Sequence, residues 1–240
     1  MSTLTVVGAT GLVGSFFYNL VKTARVDGIT KVTAVSRRSA EQNAPPSPQQ
    51  QQEFNQFENV ITSEITSSIP SSTKILFSGL GTTRGKEGGF ENQYKVDYGL
   101  NVDIAKAAKA AGATTYVIVS ASGANDKSYF AYPKMKAEIE HDVTELGFDR
   151  TIILRPGLIL GHRNEVRSWE EQAAVSLYYG LKKLPFITSS LTNSTSAEAE
   201  DIAKAAIRAI QTFGPGLSII SNSEINALAR EYDANLVTAN

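Results

Sequence analysis

The sequence predicts an α/β fold, an open parallel sheet doubly wound and covered by helices on both faces, and three observations lead there. Apolar runs of strand length alternate with longer segments of helical periodicity, the rhythm of βαβ units around a buried sheet. The first run passes into a glycine-rich turn at Gly8, Gly11 and Gly14. Far downstream, a run ending in serines, Val117-Ile118-Val119-Ser120-Ala121-Ser122, is followed by Tyr132 and Lys136 one helical turn apart.

Strands are expected over residues 3–8, 31–36, 59–62, 73–78, 114–120, 150–155 and 216–221. The first, around Leu4-Thr5-Val6-Val7, runs into a helix beginning near Leu12. Between the second and third, residues 39–56 hold Pro45-Pro46-Ser47-Pro48 and four successive glutamines, the composition of a solvated, flexible insert. A helix is expected over 91–111, where Val96, Leu100, Ile104 and Ala108 recur at four-residue spacing and Gly112 supplies the stop. The next should run from Pro133 to Leu146, with proline in its first turn and Gly147 past its end. A polar loop, Ser189 to Ser196, precedes a helix over 198–212. There is no internal repeat. Residues 1–240 are expected to form a single domain, with a small C-terminal substrate lobe at about 158–200.

Composition narrows the function classes. Charged residues make up 20% of the chain with a formal net charge of -1, so there is no basic field to draw in nucleic acid or an anionic membrane. The absence of cysteine removes disulfides, thiolate metal sites and cysteine nucleophiles, and His141 and His162 are too few for a histidine-rich metal site, so no metal is expected. A strand begins almost at Met1, which leaves no room for a removable leader, and no apolar stretch approaches the roughly 18 residues of a membrane span. A soluble or at most peripheral protein is expected.

In Val6-Val7-Gly8-Ala9-Thr10-Gly11-Leu12-Val13-Gly14 each glycine has a physical task. Gly8 permits the tight turn, Gly11 lets the backbone approach a pyrophosphate, and Gly14 allows close packing of helix on strand. Past Thr10, the helix beginning near Leu12 and Val13 then offers unpaired N–H groups at the positive end of its dipole. A Rossmann-like nucleotide site follows. Beyond the second strand, Arg37 and Arg38 stand where an acid would read the free ribose of NAD, and arginine suits a 2′-phosphate, so NADP(H) is the expected cofactor. Gly79, Leu80 and Gly81 close the fourth strand with small residues that suit passage beside the adenine half, although a turn requiring glycine explains them nearly as well. Arg155, Pro156 and Gly157 close the sixth on the nicotinamide side, where a simple strand break is an equal explanation.

The Tyr-x-x-x-Lys spacing also occurs at Tyr18/Lys22, Tyr178/Lys182 and Tyr179/Lys183, so position decides. Tyr132 alone follows the serine-bearing strand. A free tyrosine titrates near 10 and a neighbouring ammonium favours its phenolate, which suits Tyr132 for proton transfer with Lys136 as its partner and as a ligand for the nicotinamide ribose. Ser120 would donate to a substrate carbonyl oxygen, with Ser122, on the same side of the strand, as second choice. The plain alternative is a packed tyrosine and a solvated lysine. Asn101 is a candidate support for Lys136 through water, and His162 and Arg163 for substrate contact, each weaker than a solvated or structural role. The apolar region after Arg163, with Trp169, Tyr178, Tyr179 and Phe186, suits a substrate lobe first, and a dimer face or shallow membrane contact after it.

With these motifs in place, the chain resembles the atypical short-chain dehydrogenase/reductases, and within them the fungal "found in mitochondrial proteome" family, related to the Tat-interacting oxidoreductase-like proteins. The likeness runs from about Thr3 to His162 through Gly81-Thr82-Thr83-Arg84, Gln93-Tyr94-Lys95-Val96-Asp97 and Ile152-Ile153-Leu154-Arg155-Pro156-Gly157, and the insert at 39–56 departs from it. The resemblance implies an NADP(H)-dependent oxidoreductase that reduces a carbonyl or oxidises an alcohol, with Tyr132 as general acid, Lys136 as its partner and Ser120 polarising the carbonyl. It also implies peripheral attachment to the cytosolic face of the mitochondrial outer membrane. It supplies no metabolite. The competing expectation is a non-catalytic NADPH-binding sensor or scaffold acting through protein partners.

Overall fold

A computed structural model of the chain describes residues 2–23, 26, 28–40, 56–82, 85, 87–161 and 195–238. Seven strands form one parallel sheet: β1 (Ser2–Val7), β2 (Ile29–Ser36), β3 (Gln56–Ile61), β4 (Ile75–Ser78), β5 (Thr115–Val119), β6 (Arg150–Arg155) and β9 (Gly216–Ser221). Their spatial order is β3-β2-β1-β4-β5-β6-β9, so the chain builds outward from β1 in one direction and then resumes on its other side at β4. That reversal opens a crevice beyond the carboxyl ends of β1 and β4, where an open α/β sheet takes its ligands. The doubly wound parallel sheet is the fold the sequence predicts.

The period-two alternation of side chains divides the core in two. Leu4, Val6, Phe77, Val117, Val119, Ile152 and Leu154 face one layer, with α1 (Leu12–Thr23), α5 (Ala199–Thr212) and α6 (Asn222–Thr238). Val7, Leu76, Tyr116, Ile118 and Ile153 face the other, with α3 (Asn101–Ala110) and α4 (Ala131–Glu145). Because both faces are covered, the central strands read as continuous apolar runs. Phe17 of α1 stacks on Phe77 of β4 with ring centroids 3.7 Å apart, a pair that adds about 0.5–1.5 kcal/mol to simple burial and fixes the first helix over the sheet.

Several boundaries differ from expectation for local reasons. β1 ends at Val7 because Gly8 turns to φ 80°. β3 begins at Gln56, ahead of the expected 59, since an edge strand can carry Gln56 and Glu58 exposed. The helix expected over 91–111 is α2 (Phe90–Tyr94) and α3 joined by a π-helical turn, Lys95–Leu100. α4 starts two residues before Pro133, and the ring costs nothing there because first-turn N–H groups have no intrahelical partner. α6 was not expected, its apolar stripe being interrupted by Arg230, Glu231 and Asp233. A second, two-stranded parallel sheet, β7 (Leu158–Leu160) with β8 (Ser196–Glu198), also escaped the sequence because each strand has only three residues. Most of the insert at 39–56 and of the lobe at 158–200 lies outside the described residues, as do His162, Arg163 and the aromatic region after them.

Candidate functional site

The glycine turn is built by contact, backbone on backbone. A Cβ on Gly14 would lie 2.1 Å from the Gly8 carbonyl oxygen, and one on Gly8 would lie 2.7 Å from Gly79 C and Leu80 N. Gly79 itself approaches Gly14, where its Cβ would stand 3.2 Å from the Cα, and its N–H donates to Val7 O at 3.0 Å. Gly8, Gly14 and Gly79 therefore form one packing knot that holds the start of α1 against the ends of β1 and β4. Gly11 is different: a Cβ there would meet Gly8 O at 3.2 Å and Gly79 O at an ordinary 3.7 Å, so the fold tolerates it better. Thr10, Gly11 and Leu12 are half-buried at the mouth of the turn, whereas Val13 and Gly14 are buried beneath it.

β2 runs beside β1 in register, Val35 against Val7, so Ser36, Arg37 and Arg38 emerge next to the turn. Both arginines are exposed. The Ser36 hydroxyl donates to Arg38 O at 2.5 Å and Thr62 N–H to Ser36 O at 2.9 Å, which fixes the backbone that carries them.

Past β5 the ladder to β6 continues, with Ser120 N–H donating to Leu154 O at 2.7 Å and Ser122 N–H to Pro156 O at 2.8 Å. The two serines thus part company. Ser120 is 6% exposed and its hydroxyl donates to Glu140 Oε1 at 2.5 Å, while Ser122 is exposed. Glu140 is itself buried and also accepts from Arg155, at 3.0 and 3.2 Å from Nε and 2.5 Å from an Nη. A hydroxyl has one hydrogen, so Ser120 cannot donate to Glu140 and to a substrate oxygen at once. Pro156 is buried, and Gly157 packs so closely on Thr195 that a Cβ would lie 2.1 Å from its carbonyl oxygen.

Tyr132, Lys136 and Glu140 recur every four residues along one face of α4. Tyr132 is 42% exposed, Lys136 only 5%. The Lys136 ammonium lies 5.7 Å from the Tyr132 ring centroid and 3.8 Å from Asp97 Oδ2. Asp97, 1% exposed, sits in the π-helical turn, and its Oδ1 accepts from Thr82 N–H at 2.7 Å. Burial pushes the Asp97 carboxyl upward, and the Lys136 ammonium and hydrogen bonds from Thr82 and Gln93 oppose that push. Asn101 does not reach Lys136: it is buried, accepts from the Ser78 hydroxyl at 2.6 Å, and donates to Leu80 O and Asp97 O. α4 is held against the preceding helices by Tyr94 and Tyr98, whose hydroxyls donate to Glu138 at 3.0 Å and Asp142 at 2.5 Å.

The structure thus brings Tyr132 and Lys136 together and links them by a chain of contacts, Lys136 to Asp97 to Thr82, to the loop after β4 that packs on Gly8. Asp97 and Glu140 had not been singled out. The spacing of Glu140, eight residues after Tyr132, was the available signal for one; nothing in the sequence marks Asp97 as buried. Among the described residues no cluster of His, Asp and Glu could hold a metal ion. His141 is exposed.

The HIM1 family profile matches residues 47–184. Protein fmp52-1, mitochondrial, from Aspergillus oryzae is 42% identical over 209 residues, which cover 87% of this chain and 86% of that protein. Among solved structures, MoeE5 in complex with UDP-glucuronic acid and NAD aligns with a TM-score of 0.63 at 16% identity, over 92% of this chain and 76% of that one. An NADPH-dependent quinone oxidoreductase from Escherichia coli aligns with a TM-score of 0.53 at 20% identity, over 91% and 67%. At these identities the structural matches speak for the fold. The sequence matches go further, and the chain belongs to the HIM1 family, together with the fungal Fmp52 proteins.

Proposed function

We propose that the protein is an NADP(H)-dependent oxidoreductase that interconverts a carbonyl and an alcohol. The observation that carries this is Tyr132, open to solvent, with a buried Lys136 on the same face of α4 whose ammonium lies 5.7 Å from its ring. The residues present fit a dinucleotide: the knot of Gly8, Gly14 and Gly79 holds the start of α1 at the carboxyl ends of β1 and β4, the half-buried Gly11 leaves the mouth of that turn without a side chain, and Arg37 and Arg38 stand exposed beside it. The structural neighbours named above with NAD and with NADPH support that choice. When bound, such a group supplies hydride to, or accepts it from, the substrate carbon. Backbone N–H groups of Leu12 and Val13 at the start of α1 would bind the pyrophosphate, and Thr10 and Gly11 would line its approach, the Gly11 N–H itself being held by Gly8 O at 2.8 Å. Arg37 and Arg38 would clamp the 2′-phosphate, and Gly79, Leu80 and Gly81 would lie along the adenine half, with Pro156 on the nicotinamide side. Lys136 holds the nicotinamide ribose, and the Tyr132 hydroxyl gives its proton to the carbonyl oxygen in reduction. Because the Ser120 hydrogen is directed at Glu140, Ser122 is the serine assigned to hold that oxygen, with Ser120 keeping the loop in place.

The relatives' names carry the word mitochondrial, and that compartment is extended to this chain. The family resemblance adds the cytosolic face of the outer membrane. Protease treatment of intact mitochondria tests it, since protection of the protein would exclude that face.

The decisive experiment is a titration of purified protein with NADPH and with NADH, followed by nicotinamide fluorescence. NADPH should bind more tightly, and Arg37→Ala or Arg38→Ala should weaken NADPH by about tenfold or more with little effect on NADH. Binding of neither nucleotide sinks the proposal. Tyr132→Phe should abolish NADPH consumption with aldehydes or quinones and leave NADPH affinity unchanged. If wild-type protein binds NADPH yet turns over no carbonyl while gaining a protein partner, a redox sensor is the better description.

A further inference from the structure

We propose that Asp97 is a positioning residue that holds Lys136 for the nicotinamide ribose and ties its place to the loop after β4. The inference rests on the dinucleotide site proposed above and adds a residue to its machinery. Lys136 is buried, yet no hydrogen bond among the described residues engages its ammonium. Its partners are the Asp97 carboxylate at 3.8 Å, longer than a hydrogen bond, and the Tyr132 ring at 5.7 Å. An ammonium has three hydrogens to donate, and none of them is committed to a described residue. A pair built for stability would close to hydrogen-bond length or be replaced by apolar packing. Here the charge is neutralised while the donors stay unspent, the state expected of a group kept ready for a ligand's hydroxyls.

Asp97 serves the loop through its other oxygen. Oδ1 accepts from Thr82 N–H at 2.7 Å, and Gln93, one turn earlier, donates through Nε2 to Thr82 O at 3.2 Å, so both backbone polar groups of Thr82, one in each of its flanking peptide units, are held by side chains of the helix. The π-helical turn Lys95–Leu100 contains Asp97, and such turns re-aim side chains at functional positions. One buried carboxylate therefore touches a loop of the adenine side with one oxygen and the lysine of the nicotinamide side with the other.

The two roles separate by substitution. Asp97→Asn keeps an acceptor for Thr82 N–H and loses the charge facing Lys136, whereas Asp97→Ala loses both. Calorimetric titration with NADPH and with its adenosine half, 2′,5′-ADP, reads the two arms. Asp97→Asn should weaken NADPH by about tenfold and leave 2′,5′-ADP within about twofold, while Asp97→Ala weakens both. In a Lys136→Met background, Asp97→Asn should have no further effect on NADPH. General structural damage would weaken both ligands in Asp97→Asn, and equal losses there would overturn the inference, as would additive effects of Asp97→Asn and Lys136→Met or unaltered NADPH binding in Asp97→Asn. If wild-type protein binds neither ligand, the parent proposal fails and takes this one with it; if it binds both and only the variants disobey, this inference alone is wrong.

Discussion

Gly14→Ala puts the packing knot beneath the nucleotide turn to the test. The new methyl would lie 2.1 Å from Gly8 O and 2.7 Å from Gly8 C, and ordinary contact begins at 3.4 Å, so the start of α1 must retreat by about 1.3 Å. Neither partner can yield by changing rotamer, because both are backbone, and Gly8 is already pressed against Gly79 on its other side. Overpacking of a core costs about 1–3 kcal/mol, and a contact of this kind belongs at about 3 kcal/mol. For a chain of this size that lowers Tm by about 6–12 °C. The retreat also moves the N–H groups of the first turn of α1, so NADPH affinity should fall by at least about tenfold, the loss of one charge-assisted hydrogen bond. Gly11→Ala is the internal comparison. Its methyl is tight only against Gly8 O at 3.2 Å, with Gly79 O at an ordinary 3.7 Å, so the stability loss should stay within about 1 kcal/mol while NADPH binding is lost to the same degree or more. Thermal unfolding and fluorescence titration of the two variants decide it. A Gly14→Ala protein with wild-type Tm would show that the knot is not rigid, and a Gly11→Ala protein with full NADPH affinity would show that the turn does not carry the pyrophosphate.

Two further outcomes are expected. Glu140→Ala leaves the Arg155 guanidinium without its carboxylate and Ser120 without its acceptor; with Arg155 31% exposed, the cost should be about 1–2 kcal/mol, a Tm fall of about 2–8 °C, and a loss under about 0.5 kcal/mol would mean that solvent already screens the pair. Burial raises the Asp97 carboxyl above its ordinary 3.8, against the Lys136 ammonium, while Glu87 adds to the rise, so the folded protein holds that proton more tightly than the unfolded chain does. The stability this supplies is complete below the unfolded value and is lost as pH rises through the raised folded value. Urea unfolding across that range should therefore show a decline in wild type that Asp97→Asn lacks, and parallel curves would refute it.

The sequence carried the parts of the fold that repeat. Apolar runs buried on both faces, the glycines at positions 8, 11 and 14, and the helix bearing Tyr132 are local patterns that survive into the structure because backbone sterics and burial act within a few residues. The exact span of edge strand β3, the three-residue strands β7 and β8, and α6 were obscured because their stability comes from neighbours rather than from their own periodicity. The same distinction runs through the candidate site. Tyr132 and Lys136 could be paired because residues four apart on a helix share a face and because, unlike the other pairs with that spacing, they follow the serine-bearing strand. Spacing could not tell Ser120 from Ser122, because alternation puts both on one side of the strand. What parted them is Glu140, twenty residues further on, and Arg155 across the β5–β6 ladder, a meeting that only the packing of α4 on the sheet arranges. Asp97 was silent for the same reason: in the sequence it is one acid on an amphipathic helix, and its burial between Thr82 and Lys136 depends on three separate elements arriving at one point.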